Sequence, residues 1–159
     1  MPGKSGQLGF SLIELLVVIT IAAVLATLVV LSAGGWSSEN SPERQLQRFA
    51  AQLGQQCEHA LLQSRARGMS VSDNGFQAWH LSSQGWQALT GTARQWPAGV
   101  QPRLMVDGFP VNLAAPAATP QIVCEPLGEL TSFELDFPGT SPGLRLLGHA
   151  HGRLEVLSP

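Results

Sequence analysis

The feature that most constrains this chain is an apolar run of 22 residues near its N-terminus, residues 10–31, in which Glu14 is the only charged residue. As an α-helix such a run measures about 33 Å, enough to cross a hydrocarbon core of about 30 Å. A cleaved secretory signal has a shorter apolar centre and a small-residue exit site, which this segment lacks. The leader before the run carries Lys4 and no acidic residue, so the positive-inside tendency keeps that leader cytoplasmic. We therefore expect residues 10–32 to cross the inner membrane once.

Glu14 is the unusual residue of this run. A carboxylate inside a membrane helix costs about 2.5–3.5 kcal/mol on insertion scales, and such groups are usually paired and functional. One interpretation is that Glu14 lies near enough to the interface to reach water. The other is that it pairs with a cation at membrane depth. The run contains no Lys or Arg, but a newly freed α-amino group at Phe10 would supply the charge.

The stretch Gly9-Phe10-Ser11-Leu12-Ile13-Glu14 resembles the class III signal of type IV pilins and type II secretion pseudopilins. In that family a membrane-embedded prepilin peptidase cuts after the glycine and N-methylates the new terminal residue. The resemblance therefore implies cleavage between Gly9 and Phe10 and methylation of Phe10. It also implies that Glu14 of an incoming subunit neutralises the Phe10 amine of its neighbour.

The rest of the chain is nearly neutral and contains only two cysteines. From Trp36 onward there are 8 arginines, 10 acidic residues and no lysine. Because a general nucleic-acid binder needs a basic face, we expect no nucleic-acid partner. The two cysteines lack CxxC spacing, so the sequence does not predict a zinc site.

A single amphipathic helix is predicted after a glycine- and serine-containing linker. Ser41 is a good N-cap, Pro42 suits the first helical position, and Glu43 is favourable in the first turn. Gly68 is predicted to end the helix, with Arg65 and Arg67 near its negative end. An apolar stripe at spacings of three and four should face the core: Leu46, Phe49, Leu53, Cys57, Ala60, Leu61 and Ser64.

Strands and turns are predicted beyond this helix. The two candidate strands 76–81 and 85–89 should form a hairpin, and residues 110–120 should form a loop. Further strands are predicted over residues 100–106, 121–124, 131–137, 144–147 and 153–157. A long N-terminal helix followed by an amphipathic helix on antiparallel sheet is the pilin-like α+β plan.

The order of these elements is similar to that of the minor pseudopilin H (GspH) group, which is itself similar to FimT/FimU-type minor pilins. The resemblance implies a structural subunit of the pseudopilus tip that helps to export folded proteins across the outer membrane. Its implied partners are other minor and major pseudopilins, the prepilin peptidase and secreted exoproteins. The alternative is a minor pilin of a type IV pilus, acting in pilus priming or DNA uptake.

Neither motif that could carry catalysis or metal binding is convincing. Gly139–Gly143 matches G-x-S-x-G around Ser141, but Pro142 lacks the N–H that a nucleophile elbow uses as an oxyanion donor. His149 and His151 lie between glycines, which favours a hairpin tip over a metal site. The tryptophans at 79, 86 and 96 favour core or hairpin packing over a binding platform. We therefore expect no enzymatic activity and no cofactor.

The two cysteines leave two interpretations open. Cys57 lies on the apolar stripe and Cys124 lies in a strand that should pack near it, in a compartment where disulfides persist. A buried free cysteine, however, behaves as an ordinary small hydrophobe.

The expected organisation is a cleaved cytoplasmic leader (1–9), a transmembrane and assembly helix (10–32), a linker (33–42) and a periplasmic globular domain (43–159).

Overall fold

The computed structural model describes residues 12–24, 41–115, 117–139 and 143–158. The chain divides into two compact units, Met1–Glu39 and Asn40–Pro159, which are described separately. In the first unit residues 12–24 form helix α1. The described residues of the second unit, called the head below, form one helix and ten strands.

Helix α2 of the head spans Pro42–Gln63 and begins where the sequence predicts. The Ser41 side-chain oxygen accepts a hydrogen bond from the backbone N–H of Arg44 at 3.4 Å, and Pro42 occupies the first helical turn. The Ser41 side chain thus satisfies one of the free N–H groups at the start of the helix. Pro42 is tolerated there because an N–H at that position would have no partner within the helix. The buried face of α2 consists of Gln45, Leu46, Phe49, Leu53, Gln56 and Ala60.

The predicted end of α2 at Gly68 is wrong. Ser64 adopts the left-handed conformation itself, with φ of 49°, and stops the helix there. Gly68 lies instead in the following strand, where an added Cβ would approach Pro120 Cβ to 2.6 Å. Leu61, predicted to face the core, is half exposed because it follows the buried Ala60 by one residue and so lies about 100° further round the helix.

The ten strands form two antiparallel sheets. Their bounds are β1 Arg67–Ser72, β2 Gly75–Ser82, β3 Gly85–Ala88, β4 Arg94–Gln95, β5 Arg103–Val106, β6 Phe109–Pro110, β7 Ile122–Cys124, β8 Phe133–Asp136, β9 Arg145–Gly148 and β10 Leu154–Leu157. The first sheet has the order β3-β2-β1-β7, with β4 also paired to β2. The second has the order β10-β9-β8-β5-β6. An amphipathic helix on antiparallel sheets confirms the α+β class.

The predicted strands all exist, mostly with shorter bounds, but β1, β4 and β6 were not predicted. Strand β1 is central to its sheet and has four consecutive buried residues. A fully buried strand does not alternate in polarity, so the period-two signal was absent. The two-residue strands β4 and β6 are too short to leave a pattern.

An aromatic cluster joins α2 to both sheets. The Phe49 ring of α2 lies edge-on to Phe76 of β2 at 5.1 Å between centroids and to Phe133 of β8 at 6.2 Å. Trp96 lies between Phe76 and Phe137, at 4.7 and 5.3 Å. Such pairs add about 0.5–1.5 kcal/mol each beyond their area burial. The cluster thus connects α2 with both sheets.

The outer face of the second sheet carries cross-strand ion pairs. Arg103 on β5 makes a bidentate contact with the Asp136 carboxylate of β8. Its Nε donates to Oδ1 at 3.0 Å, and its Nη2 donates to Oδ2. This hydrogen bonding and the charge of Asp136 raise the pKa of Arg103 above its ordinary value. Arg145 on β9 lies 3.4 Å from Glu134. These pairs connect three strands, because Arg103 lies directly opposite Asp136 and Arg145 reaches Glu134 diagonally.

Candidate functional site

The processing and assembly motif lies at the N-terminus. Gly9 and Phe10 fall outside the described residues, whereas Glu14 lies in the first turn of the described part of α1. Within the described residues, no helix combines the length and the apolar character needed to cross a membrane. Both ends of the segment 10–32, which is expected to cross the membrane, lie outside the described residues.

The described part of α1 is an apolar helix with an exposed surface. Its side chains are exposed along its whole length, from 87% for Leu12 to 48% for Val17. Among these residues Glu14 is the only charged one, and the Thr20 hydroxyl donates to the Leu16 carbonyl at 2.7 Å. An uncovered apolar surface of this kind needs lipid or the helices of other chains.

A disulfide joins Cys57 of α2 to Cys124 of β7. Their Cα atoms are 5.0 Å apart, within the normal range for such a bond, and 67 positions apart in sequence. Cys124 is buried and Cys57 is half buried. The bond therefore closes a long loop and fixes the helix to the edge of the first sheet.

Arg67 joins the end of α2 to β1 through two glutamines. Its Nη1 donates to Gln56 Oε1 at 3.0 Å and its Nη2 donates to Gln63 Oε1 at 2.7 Å. The sequence predicted a charge near the helix end, but Arg67 belongs to the strand and binds side chains of α2. The spacing of Gln56 and Gln63 on one side of the helix was the available signal.

Gln121 extends the pairing of β1 beyond the end of β7. Its side-chain amide accepts from the Val71 N–H at 2.9 Å and donates to the Val71 carbonyl at 3.0 Å. The neighbouring Pro120 has no N–H and cannot continue the backbone ladder. The side chain thus satisfies both polar groups of a buried residue, a role that sequence pattern alone does not reveal.

His149 and His151 lie in the turn between β9 and β10, as predicted. Their rings stack at 5.4 Å between centroids, and His149 Nε2 lies 3.5 Å from the Glu155 carboxylate. Among the residues that the structure describes, no three His, Cys, Asp or Glu side chains are grouped so as to hold a metal ion.

The three tryptophans considered as a binding platform are buried or half buried in the head. Trp96 is buried in the aromatic cluster and donates to the Ser72 carbonyl at 2.9 Å. Trp79 is half buried and donates to the Ser70 hydroxyl at 2.8 Å. Trp86 is half buried on β3. Ser141, of the G-x-S-x-G match, lies outside the described residues.

Comparison with known sequences relates the chain to secretion proteins. Residues 4–30 match the family model of the prokaryotic N-terminal methylation motif. The chain is 30% identical over 171 aligned positions to type II secretion system protein H of Aeromonas hydrophila, covering 95% of this chain and 93% of that protein. It is 32% identical to the protein of the same name from Klebsiella michiganensis, covering 82% of this chain and 84% of that protein.

Comparison with solved structures gives the same fold. The crystal structure of the minor pseudopilin EpsH from the type II secretion system of Vibrio cholerae matches with a TM-score of 0.63 and 22% identity. The match covers 74% of this chain and 94% of that one. The solution structure of E. coli GspH matches with a TM-score of 0.57 and 19% identity, covering 75% and 92% of the two chains.

Proposed function

Because this chain belongs to the type II secretion system protein H family and is a minor pseudopilin, we propose that it is a structural subunit of the pseudopilus tip that helps to export folded proteins. The observation that supports this proposal is the match to type II secretion system protein H of two bacteria, over 95% and 82% of this chain. The same matches favour the secretion system over a type IV pilus. We propose that the protein is not an enzyme and that its role is structural.

Deletion of the gene and complementation test the role in secretion. We expect the deletion strain to retain its exoproteins in the periplasm and the wild-type chain to restore their release. Twitching motility and DNA uptake serve as controls, because a pilus subunit would affect them. Normal secretion together with lost twitching would contradict the proposal.

We propose that the prepilin peptidase cleaves between Gly9 and Phe10 and methylates Phe10. The match of residues 4–30 to the methylation motif supports this. Intact-mass analysis of membrane-extracted protein should give residues 10–159 plus one methyl group. Retention of the leader in a strain with active peptidase would refute it.

We propose that residues 10–32 anchor the protein in the inner membrane, that residues 33–42 link them to the globular domain 43–159, and that this domain is periplasmic. The exposed apolar surface of α1 supports the anchor. Protease added to spheroplasts should digest the head, whereas protease added to intact cells should not. Protection of the head in spheroplasts would place it on the cytoplasmic side.

We propose that Glu14 pairs with the Phe10 amine of an adjacent subunit during assembly. Its support is that Glu14 is the sole charge on the described part of α1, where an unpaired carboxylate is costly. Glu14→Val should leave cleavage and insertion intact but reduce crosslinking to other pseudopilins. Thr20→Val is the matched control, because it removes another polar side chain from the same helix and should assemble normally.

A further inference from the structure

Three exposed arginines lie near the N-terminal end of α2: Arg44 and Arg48 of the helix itself and Arg94 of β4. Arg44 and Arg48 lie one turn apart, and Gln52 continues the same stripe of the helix. Gln52 Nε2 donates to the Thr92 carbonyl at 3.1 Å, which holds this stripe against the segment that leads into β4. Arg48 and Arg94 line one groove of about 320 Å³. The three guanidinium groups therefore share one surface, called the arginine surface below.

The charge of this surface is not neutralised by ion pairs with the described residues. Every ion pair found among them involves other arginines or His149. Arg94 Nη1 donates to two backbone carbonyls, those of Gly91 at 3.1 Å and Ala93 at 2.9 Å. Such bonds orient the guanidinium group without cancelling its charge. Glu43, exposed beside Arg44, is the neighbouring acidic residue on the helix.

The proposed anchor keeps this surface near the membrane. Only residues 33–40 separate the proposed membrane helix from Ser41, and eight residues span at most about 29 Å even when fully extended. Arg44 and Arg48 lie in the first two turns after that linker. Elsewhere in the head, acidic residues outnumber arginines. An acidic membrane surface therefore attracts this end of the head and repels the rest.

We propose that Arg44, Arg48 and Arg94 bind acidic phospholipid headgroups of the membrane that holds the proposed anchor. This inference rests on the proposed membrane anchoring. Guanidinium groups form charge-assisted hydrogen bonds with phosphate, and three of them on one rigid surface fix an orientation as well as a distance. On this proposal, the arginine surface faces the membrane before the subunit is assembled.

The full chain in lipid nanodiscs tests this proposal. One set of discs contains neutral phosphatidylcholine and the other contains phosphatidylcholine with phosphatidylglycerol, each with a trace of gadolinium-chelating lipid. Paramagnetic attenuation of the amide NMR signals of residues 44, 48 and 94 is measured. We expect it to be at least about twofold stronger in the acidic discs, since each basic residue near an acidic surface strengthens association severalfold.

Matched variants separate the arginine surface from general charge. R44Q/R48Q/R94Q should reduce the attenuation in acidic discs to the neutral level, whereas R65Q/R145Q/R153Q removes three charges elsewhere and should retain it. Equal attenuation in both kinds of disc would overturn the proposal. A triple variant R44Q/R48Q/R94Q that keeps its response to acidic lipid would also overturn it. If that variant keeps the lipid response and loses only its crosslinks to other pseudopilins, the partner of the arginine surface is a protein. Failure of the wild-type chain to enter discs would instead refute the anchor, and this inference with it.

Discussion

At the scale of single residues, two glycines of the head have opposite requirements for space. An added Cβ at Gly148 on β9 would lie 2.0 Å from the Phe133 ring, which packs directly over it. An added Cβ at Gly54 in α2 would meet nothing within 4 Å. The absence of a side chain is thus needed at the first position and is only a cost in helix propensity at the second.

Gly148→Ala should lower the free energy of unfolding by about 1–3 kcal/mol, because the core would be overpacked. Gly54→Ala, its matched control, should raise it by up to about 1 kcal/mol. Urea unfolding of the full chain in detergent, followed by tryptophan fluorescence, measures both. Equal stabilities for Gly148→Ala and the wild type would show that Phe133 moves aside freely.

Gln121→Ala should lower the free energy of unfolding by about 1–3 kcal/mol. It removes both hydrogen bonds to the buried Val71 backbone, and the cost of unsatisfied buried groups is of this size. Gln55→Ala changes an exposed glutamine of α2 and should stay within about 0.5 kcal/mol of the wild type. A Gln121 variant as stable as the Gln55 variant would mean that water replaces the side-chain amide.

At the scale of elements, local chemistry predicted how α2 begins but not how it ends. Ser41 and Pro42 act through contacts within one helical turn, so sequence is sufficient there. Because glycine favours the left-handed conformation, the sequence predicts that the helix stops at Gly68. The structure uses Ser64 for that purpose and needs Gly68 for its close approach to Pro120. Contacts between residues so far apart in sequence, like the Gln121 contact with Val71, cannot be inferred from a local pattern.

The bridge between α2 and β7 gives an element-scale prediction. Replacing both Cys57 and Cys124 by alanine should lower the free energy of unfolding by about 4 kcal/mol, since a loop of this length gains that much chain entropy when unfolded. Glu58→Ala, at an exposed position of the same helix, is a control expected to have a small effect.

Alkylation followed by mass spectrometry tests the bridge itself. Denatured, unreduced protein should take up no thiol label, and two labels should appear after reduction. Two labels before reduction would show that the cysteines are free.

At the scale of the whole molecule, the two units have opposite surface character. Periodicity and turn residues were sufficient to predict one amphipathic helix on antiparallel sheets. They did not predict which strands share a sheet, because pairs such as β1 with β7 lie more than fifty residues apart. The apolar character of residues 10–31 was readable at once from composition, and their described part is exposed in the structure.

This contrast predicts different behaviour for the full chain and the head. The full chain should need detergent to stay dispersed, whereas a protein of residues 40–159, which contains the whole described core, should remain monomeric without it. Sedimentation velocity measures both. Aggregation of the 40–159 protein with a native fluorescence spectrum would point to a second apolar surface on the head.

The covalent bond between α2 and β7 also sets a condition on when the protein matures. Its two sulfur atoms arrive from the ribosome 67 residues apart, and a reducing cytoplasm keeps them as thiols. If the head is periplasmic, as proposed, the fully cross-linked head arises only after translocation, with the help of an oxidant in the receiving compartment. A cell that lacks periplasmic thiol oxidation would then supply subunits with weakened heads, so recruitment into the pseudopilus would depend on the redox state of the envelope.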